Sequence, residues 1–229
     1  MLRIMPVGDS MTIGSAGEHT WRYRMWQHLR DTLGAPFTFV GPRETLHDPA
    51  TGLASSHEYA EPAFPRAHLA GWGEGWTHMA PLVGEAVRTH RADLLLVSLG
   101  LIDLGFYTNA DQTQENVTRF VREVRAANSR ASIAVMPVIP NVRAQDDADF
   151  AAQVTRFNTL LVGTLDALAD PQARLLLVPP PPDYDIALDT YDGTHPNARG
   201  EHAVASAFAG SLAREWNLGE PYVPAVRGA

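Results

Sequence analysis

Residues 93–100 read DLLLVSLG, and the reading of this stretch decides the fold. Its Leu and Val side chains do not alternate with polar ones, and it has the length of a strand covered on both faces. Gly100 stops it, and Leu101, Ile102 and Asp103 follow. In an open α/β sheet, chemistry is placed at the carboxyl ends of the strands. A strand ending here ought to present polar groups, yet Leu101 and Ile102 come first.

Four other runs share this character: Leu2–Val7, Phe37–Gly41, Ser132–Val138 and Arg174–Val178. Helical patterns lie between them. His19–Leu33 is rich in helix formers and stops at Gly34. Asp111 with Gln114 resembles a capping box, followed by Val117, Phe120, Val121 and Val124 at helical spacing. Phe150, Val154, Phe157, Leu161, Leu165 and Leu168 form a second stripe, and Val204, Phe208 and Leu212 a third. Strands alternating with helices predict an α/β protein, a parallel sheet with helices on both faces. Pro42–Gly75 and Pro179–Gly200 break the rhythm, and loops of that length in a compact domain are usually functional or disordered. No repeat or linker divides the chain, so residues 1–229 read as one domain.

Composition narrows the chemistry. The net charge is −8 with no basic cluster, which argues against nucleic acid and against an anionic membrane surface. No apolar stretch approaches a membrane span. The opening MLRIMPVGDS is too short for a secretory leader, so the chain as it stands reads as cytoplasmic, although a secreted protein freed of its leader would read the same. Cysteine is absent, which removes thiolate nucleophiles and Cys-ligated metals. Lysine is absent too, since all 18 basic residues are arginine, so Schiff-base chemistry and Ser–Lys dyads are excluded. Histidines show no HExxH-type spacing, and no metal or other cofactor is expected.

The first strand runs into Gly8-Asp9-Ser10, placing a hydroxyl at a strand-to-helix turn. Asp192-Gly-Thr-His195-Pro-Asn stands near the other end. A serine nucleophile needs a base near neutrality, and the base needs an acceptor to fix its tautomer. Three residues apart in one loop, Asp192 and His195 suit that pairing. Asp9 is expected to hold its loop through backbone N–H groups. Asp183, Asp185 and Asp189 are expected to be solvated loop carboxylates rather than a calcium site.

VGDSMTIG, AGWGEGW, GLID and DGTHPN lie in the order of the sequence blocks of the GDSL/SGNH hydrolases, which this chain resembles over nearly its whole length. RIMPVGDSMTIG, RYRMWQHLRDTLG and FTFVG look most like the branch containing acetylxylan esterases of the third carbohydrate-esterase family. The resemblance implies a three-layer α/β/α sandwich with a flavodoxin-like sheet of about five parallel strands. It implies Ser10 as nucleophile, Asp192 as orienting acid and His195 as base of an ester hydrolase acting through an acyl-enzyme. The N–H groups of Ser10 and Gly71 are the implied oxyanion donors, with Gly73 as an alternative to Gly71. The implied substrate is a small ester, an acetylated sugar or an acylated metabolite. Trp72, Trp76, Tyr59 and Phe64 are expected to stack on a sugar, to line an apolar acyl pocket or to pack the long loop.

One block departs from the family pattern. Where Gly-x-Asn-Asp is usual and the asparagine supplies a third oxyanion donor, the chain reads Gly100-Leu101-Ile102-Asp103. Losing one such donor typically costs about 10²–10³ in turnover. Thr12, Thr108, Asn109 and Asn141 are candidate replacements. An acyltransferase or other biosynthetic enzyme using the same serine, and a non-catalytic carbohydrate or metabolite binder with a relic triad, are the alternatives.

Overall fold

A computed structural model describes residues 1–222. In chain order the elements are β1 (Leu2–Gly8), α1 (Ser10–Ile13), α2 (Thr20–Thr32), β2 (Phe37–Phe39), β3 (Leu46–Asp48), β4 (Leu53–Ser56), β5 (Leu69–Ala70), α3 (Trp76–His90) and β6 (Leu94–Ser98). A single π-helical turn (Asp103–Tyr107) follows, then α4 (Ala110–Ala127), β7 (Ser132–Met136), α5 (Arg143–Asp146), α6 (Ala148–Ala167), β8 (Leu175–Leu177), α7 (Ile186–Asp189) and α8 (Ala198–Trp216).

The five strands expected from the apolar runs form one parallel sheet in the order β2-β1-β6-β7-β8. The two-residue β5 adds to the end of β1, pairing Val7 with Leu69 and Gly8 with Ala70. Ile4, Met5, Leu95, Leu96, Val97, Val135 and Met136 are fully buried, as the unalternating runs require. Helix α2 packs on α8, while α3 packs on α4 and α4 on α6. With the right-handed crossovers that parallel strands require, these two groups fall on opposite faces of the sheet, giving three layers. Strand order reverses between β1 and β6. Such a switch point leaves a crevice beyond the carboxyl ends of the two strands.

Some local expectations are corrected. The capping box of α4 is Asn109 with Gln112, two residues before the pair expected at Asp111 and Gln114, because Asn109 is the residue with extended backbone. The segment 42–75 carries the β3–β4 hairpin and β5. Residues 76–90, to which periodicity assigned no element, form α3, with Pro81 inside it. Asp189 is buried rather than solvated: it accepts the Asp185 N–H at 2.8 Å and pairs with Arg199 at 2.8 Å. Asp185 caps α7 through the N–H groups of Ala187 and Leu188. No helix among the described residues is long and apolar enough to cross a membrane.

Candidate active site

Chain geometry at the end of β1 leaves little choice of residue. A Cβ on Gly8 would lie 2.0 Å from Thr12 Oγ1 and 2.9 Å from the Ser98 carbonyl, so only glycine lets α1 fold back beside β6. Asp9 caps α1, its carboxylate accepting the Met11 N–H at 3.0 Å. The first N–H groups of a helix lack intrahelical acceptors. With that of Met11 taken by Asp9, that of Ser10 remains for a ligand.

Ser10 Oγ lies 2.9 Å from Nε2 of His195, although 185 residues separate them. His195 Nδ1 lies 2.6 Å from Asp192 Oδ2. An ionised carboxylate is acceptor-only, so the ring proton belongs on Nδ1 and Nε2 is free to accept from the serine hydroxyl. Asp192 Oδ1 also accepts the N–H groups of Thr194 and His195, at 2.9 and 2.8 Å. Burial pushes the Asp192 carboxyl up, but the His195 N–H, the imidazole and the Thr194 N–H outweigh it and hold the acid below its ordinary range. The turn that makes this possible has Gly193 at φ 86°, a left-handed conformation that glycine adopts without strain. The three residues predicted from GDS and DGTH thus form one hydrogen-bonded chain at the switch point.

A cavity of about 390 Å³ opens beside Ser10 and His195. Leu101, Ile102, Phe106 and Phe150 supply apolar wall, and Asn141, Arg143 and Thr194 a polar one. A larger groove, about 1080 Å³, runs along α8 beside Pro179–Pro182 but includes none of the three chain residues.

Gly71 is one of the two expected oxyanion donors. Its N–H donates to the Gly8 carbonyl at 3.1 Å, as part of the β5–β1 pairing, so it is spent. It also does not line the cavity, whereas Gly73 does. Gly73 has φ 72°, and its N–H makes no backbone hydrogen bond among the described residues. Arg43 fixes this loop by donating to Ala70 O at 3.0 Å and to Glu74 at 2.6 Å.

The third block keeps its structural residues. Gly100 has φ 123°, and a Cβ there would lie 2.7 Å from Val138 Cγ2. Asp103 is fully buried and accepts the Trp76 and Thr77 N–H groups at 2.7 and 3.0 Å, capping α3. Burial pushes its carboxyl up, against those two bonds. Ile102, between them, lines the cavity. Of the four proposed replacements, Thr12 is fully buried and accepts from Trp21 Nε1, Thr108 bonds Thr113, and Asn109 caps α4. Asn141 alone lines the cavity, donating from Nδ2 to Thr194 Oγ1 at 3.1 Å while its buried Oδ1 has no partner among the described residues.

The loop aromatics divide. Trp76 is fully buried, edge-on to Phe120 at 5.1 Å, and Tyr59 and Phe64 are buried against each other. They are core. Trp72 lines the cavity and stacks on the His195 ring. Phe106 and Tyr107, exposed on the π-helical turn, and Arg143 also line it, and sequence reasoning missed all three. The adjacent aromatics just after GLID were the signal.

A parallel sheet with a Ser–His–Asp chain at its switch point has the architecture of the serine-hydrolase class. The chain belongs to the GDSL-like lipase/acylhydrolase family, whose pattern it matches over residues 7–203, and so to a class of ester hydrolases. Among solved structures it is similar to an acetyl esterase crystallised with an acetate ion (22% identity, TM-score 0.77, covering 93% of this chain and 97% of that one). It is equally similar to a carbohydrate esterase of family 3 from Talaromyces cellulolyticus, with the same identity, score and coverage. A family 3 carbohydrate esterase from Clostridium thermocellum matches at 19% identity and TM-score 0.72, over 93% of this chain and 96% of that one. At these identities the likeness establishes the fold. A multidomain esterase from Ruminococcus flavefaciens is 19% identical over 209 residues, 87% of this chain, and the chain spans only 27% of that protein's length.

Proposed function

We propose that this protein is a serine esterase that hydrolyses a short acyl ester, such as an acetyl group on a sugar or on a small metabolite. The 2.9 Å contact between Ser10 Oγ and His195 Nε2, with Asp192 on the other ring nitrogen, carries this reading. Ser10 is the nucleophile, and His195 takes its proton as Oγ attacks the carbonyl carbon. Asp192 holds the ring and stabilises the imidazolium that forms. His195 then returns the proton to the departing alcohol. Water, deprotonated by the same imidazole, releases the acid from the acyl-enzyme. Side chains and backbone N–H groups complete this chemistry, and no cofactor enters it.

The oxyanion in this reading accepts from the N–H groups of Ser10 and Gly73, Gly71 being engaged elsewhere. The Asn141 amide is the candidate third donor, since it faces the same cavity where Ile102 offers none. The likeness to an acetyl esterase and to a carbohydrate esterase of family 3 supports the substrate class, as do the aromatic side chains at the cavity. We read residues 1–229 as one domain, because one apolar core spans the described chain from Ile4 to Leu212.

The test compares wild type with Ser10→Ala on p-nitrophenyl acetate and on acetylated xylo-oligosaccharides, following acetate release. Turnover by wild type, with loss in the variant, is expected. Equal inactivity of both, with sugar binding retained, supports a relic binder instead. Turnover that requires an added alcohol supports an acyltransferase.

A further inference from the structure

Trp72 does more than wall the cavity. Its ring lies 4.5 Å from that of His195, centroid to centroid, with 19° between the planes. On Trp72 in turn stacks His47, at 3.9 Å and 17°. Tyr191 adds a fourth near-parallel ring, 5.7 Å from His195 at 20°. We propose that Trp72 is a positioning residue for His195, backed by His47, so that stacking rather than burial of the acid holds the imidazole in its working orientation. The inference rests on the reading of His195 as the base.

Two hydrogen bonds leave an imidazole a degree of freedom. Asp192 and Ser10 fix its two nitrogens, but a ring pinned at two in-plane atoms can still tilt. The pin is also open to water, because the Asp192 side chain is 42% exposed. A flat ring against the imidazole face restrains that tilt.

Each ring of the stack is anchored by its own segment. His47 sits in β3, where its N–H donates to Gly14 O at 2.9 Å and its carbonyl accepts from Ala16 at 2.8 Å. That pairing straps the hairpin to the chain just after α1, the helix that carries Ser10. The His47 side chain is buried, and among the described residues its Nδ1 has no hydrogen-bond partner. Stacking on Trp72 is thus the contact its ring makes toward the site. Trp72 is held by the loop that Arg43 clamps to Glu74. The nucleophile, the Trp72 loop and the base are thereby referenced to one another through backbone-anchored rings.

The measurements are kcat and KM on p-nitrophenyl acetate, and the low-field proton resonance of the His195 Nδ1–H in the free enzyme, for wild type, Trp72→Ala, Trp72→Phe and His47→Ala. Misplacing a catalytic group by about an ångström costs about 10²-fold. Trp72→Ala is expected to lose kcat on that scale and to lose the resonance to exchange with water. Trp72→Phe, which keeps a stacking ring, should restore both. His47→Ala, outside the cavity lining, should lower kcat in the same direction by less and broaden the resonance. If Trp72→Ala keeps the resonance and changes only KM, or if His47→Ala leaves both readouts untouched, the inference is wrong. Should wild type hydrolyse no ester at all, the esterase reading fails while the resonance still decides the positioning role.

Discussion

The Asp103 carboxylate occupies the space that a side chain on Gly75 would need. A Cβ on Gly75 would stand 2.2 Å from Asp103 Oδ2, and the same carboxylate accepts the next two N–H groups of α3. The glycine-rich loop and the strand-end block are thus fitted together at one contact. Gly75→Ala is expected to destabilise the fold by about 1–3 kcal/mol through overpacking. Gly163→Ala in α6, where nothing lies within 4 Å of the new Cβ, should instead stabilise by about 0.5–1 kcal/mol. Paired urea unfolding curves check both signs.

Asp9 sets a pH dependence of stability. Burial, eased by the Met11 N–H and reinforced by nearby Asp103, pushes its carboxyl from 3.8 up to about 7. A carboxyl raised in the folded state contributes stability that is complete below its unfolded pKa and is lost as pH rises through the folded one. Asp9→Asn keeps a capping side chain and abolishes the charge. It should therefore gain on wild type in thermal stability between about pH 4 and about pH 7, and hold that gain above. A constant difference across this range would contradict the assignment.

Ile102→Asn should raise kcat for ester hydrolysis by about tenfold or more, approaching the about 10²–10³ that one oxyanion donor is worth. KM should move little, since the new amide acts on charge that develops only in the transition state. Steady-state kinetics on a short nitrophenyl ester read this out. No change with the fold intact would mean that Asn141 or another donor already fills the place.

A crystal structure of the enzyme inhibited by a phosphonate should show the phosphonyl oxygen accepting from the N–H groups of Ser10 and Gly73. Gly71 N–H should remain on the Gly8 carbonyl, 3.1 Å away as in the free protein. A phosphonyl oxygen bound to Gly71 would restore the donor that the strand pairing takes away.

Much of this was legible in the sequence because it rests on covalent neighbours and simple periods. Unbroken Leu/Val runs marked the parallel strands, and a Gly/Pro-rich loop placed Asp192 and His195 three residues apart. What was not legible depends on tertiary register. Gly71 and Gly73 look alike as letters, and only the pairing of Ala70 with Gly8 shows which N–H is spent. Trp72 and Trp76 are four residues apart in one glycine-rich stretch. One faces the cavity and the other the core, because α3 begins at Trp76. Asp189 reads as solvated until α8 brings Arg199 to it.

Reaction with a p-nitrophenyl phosphonate, followed by intact mass measurement and peptide mapping, tests the central claim most directly. One covalent adduct is expected, on Ser10, forming in step with loss of esterase activity and absent from both Ser10→Ala and His195→Ala. An adduct on another residue, or an unmodified Ser10 in a protein that still hydrolyses esters, would contradict the account.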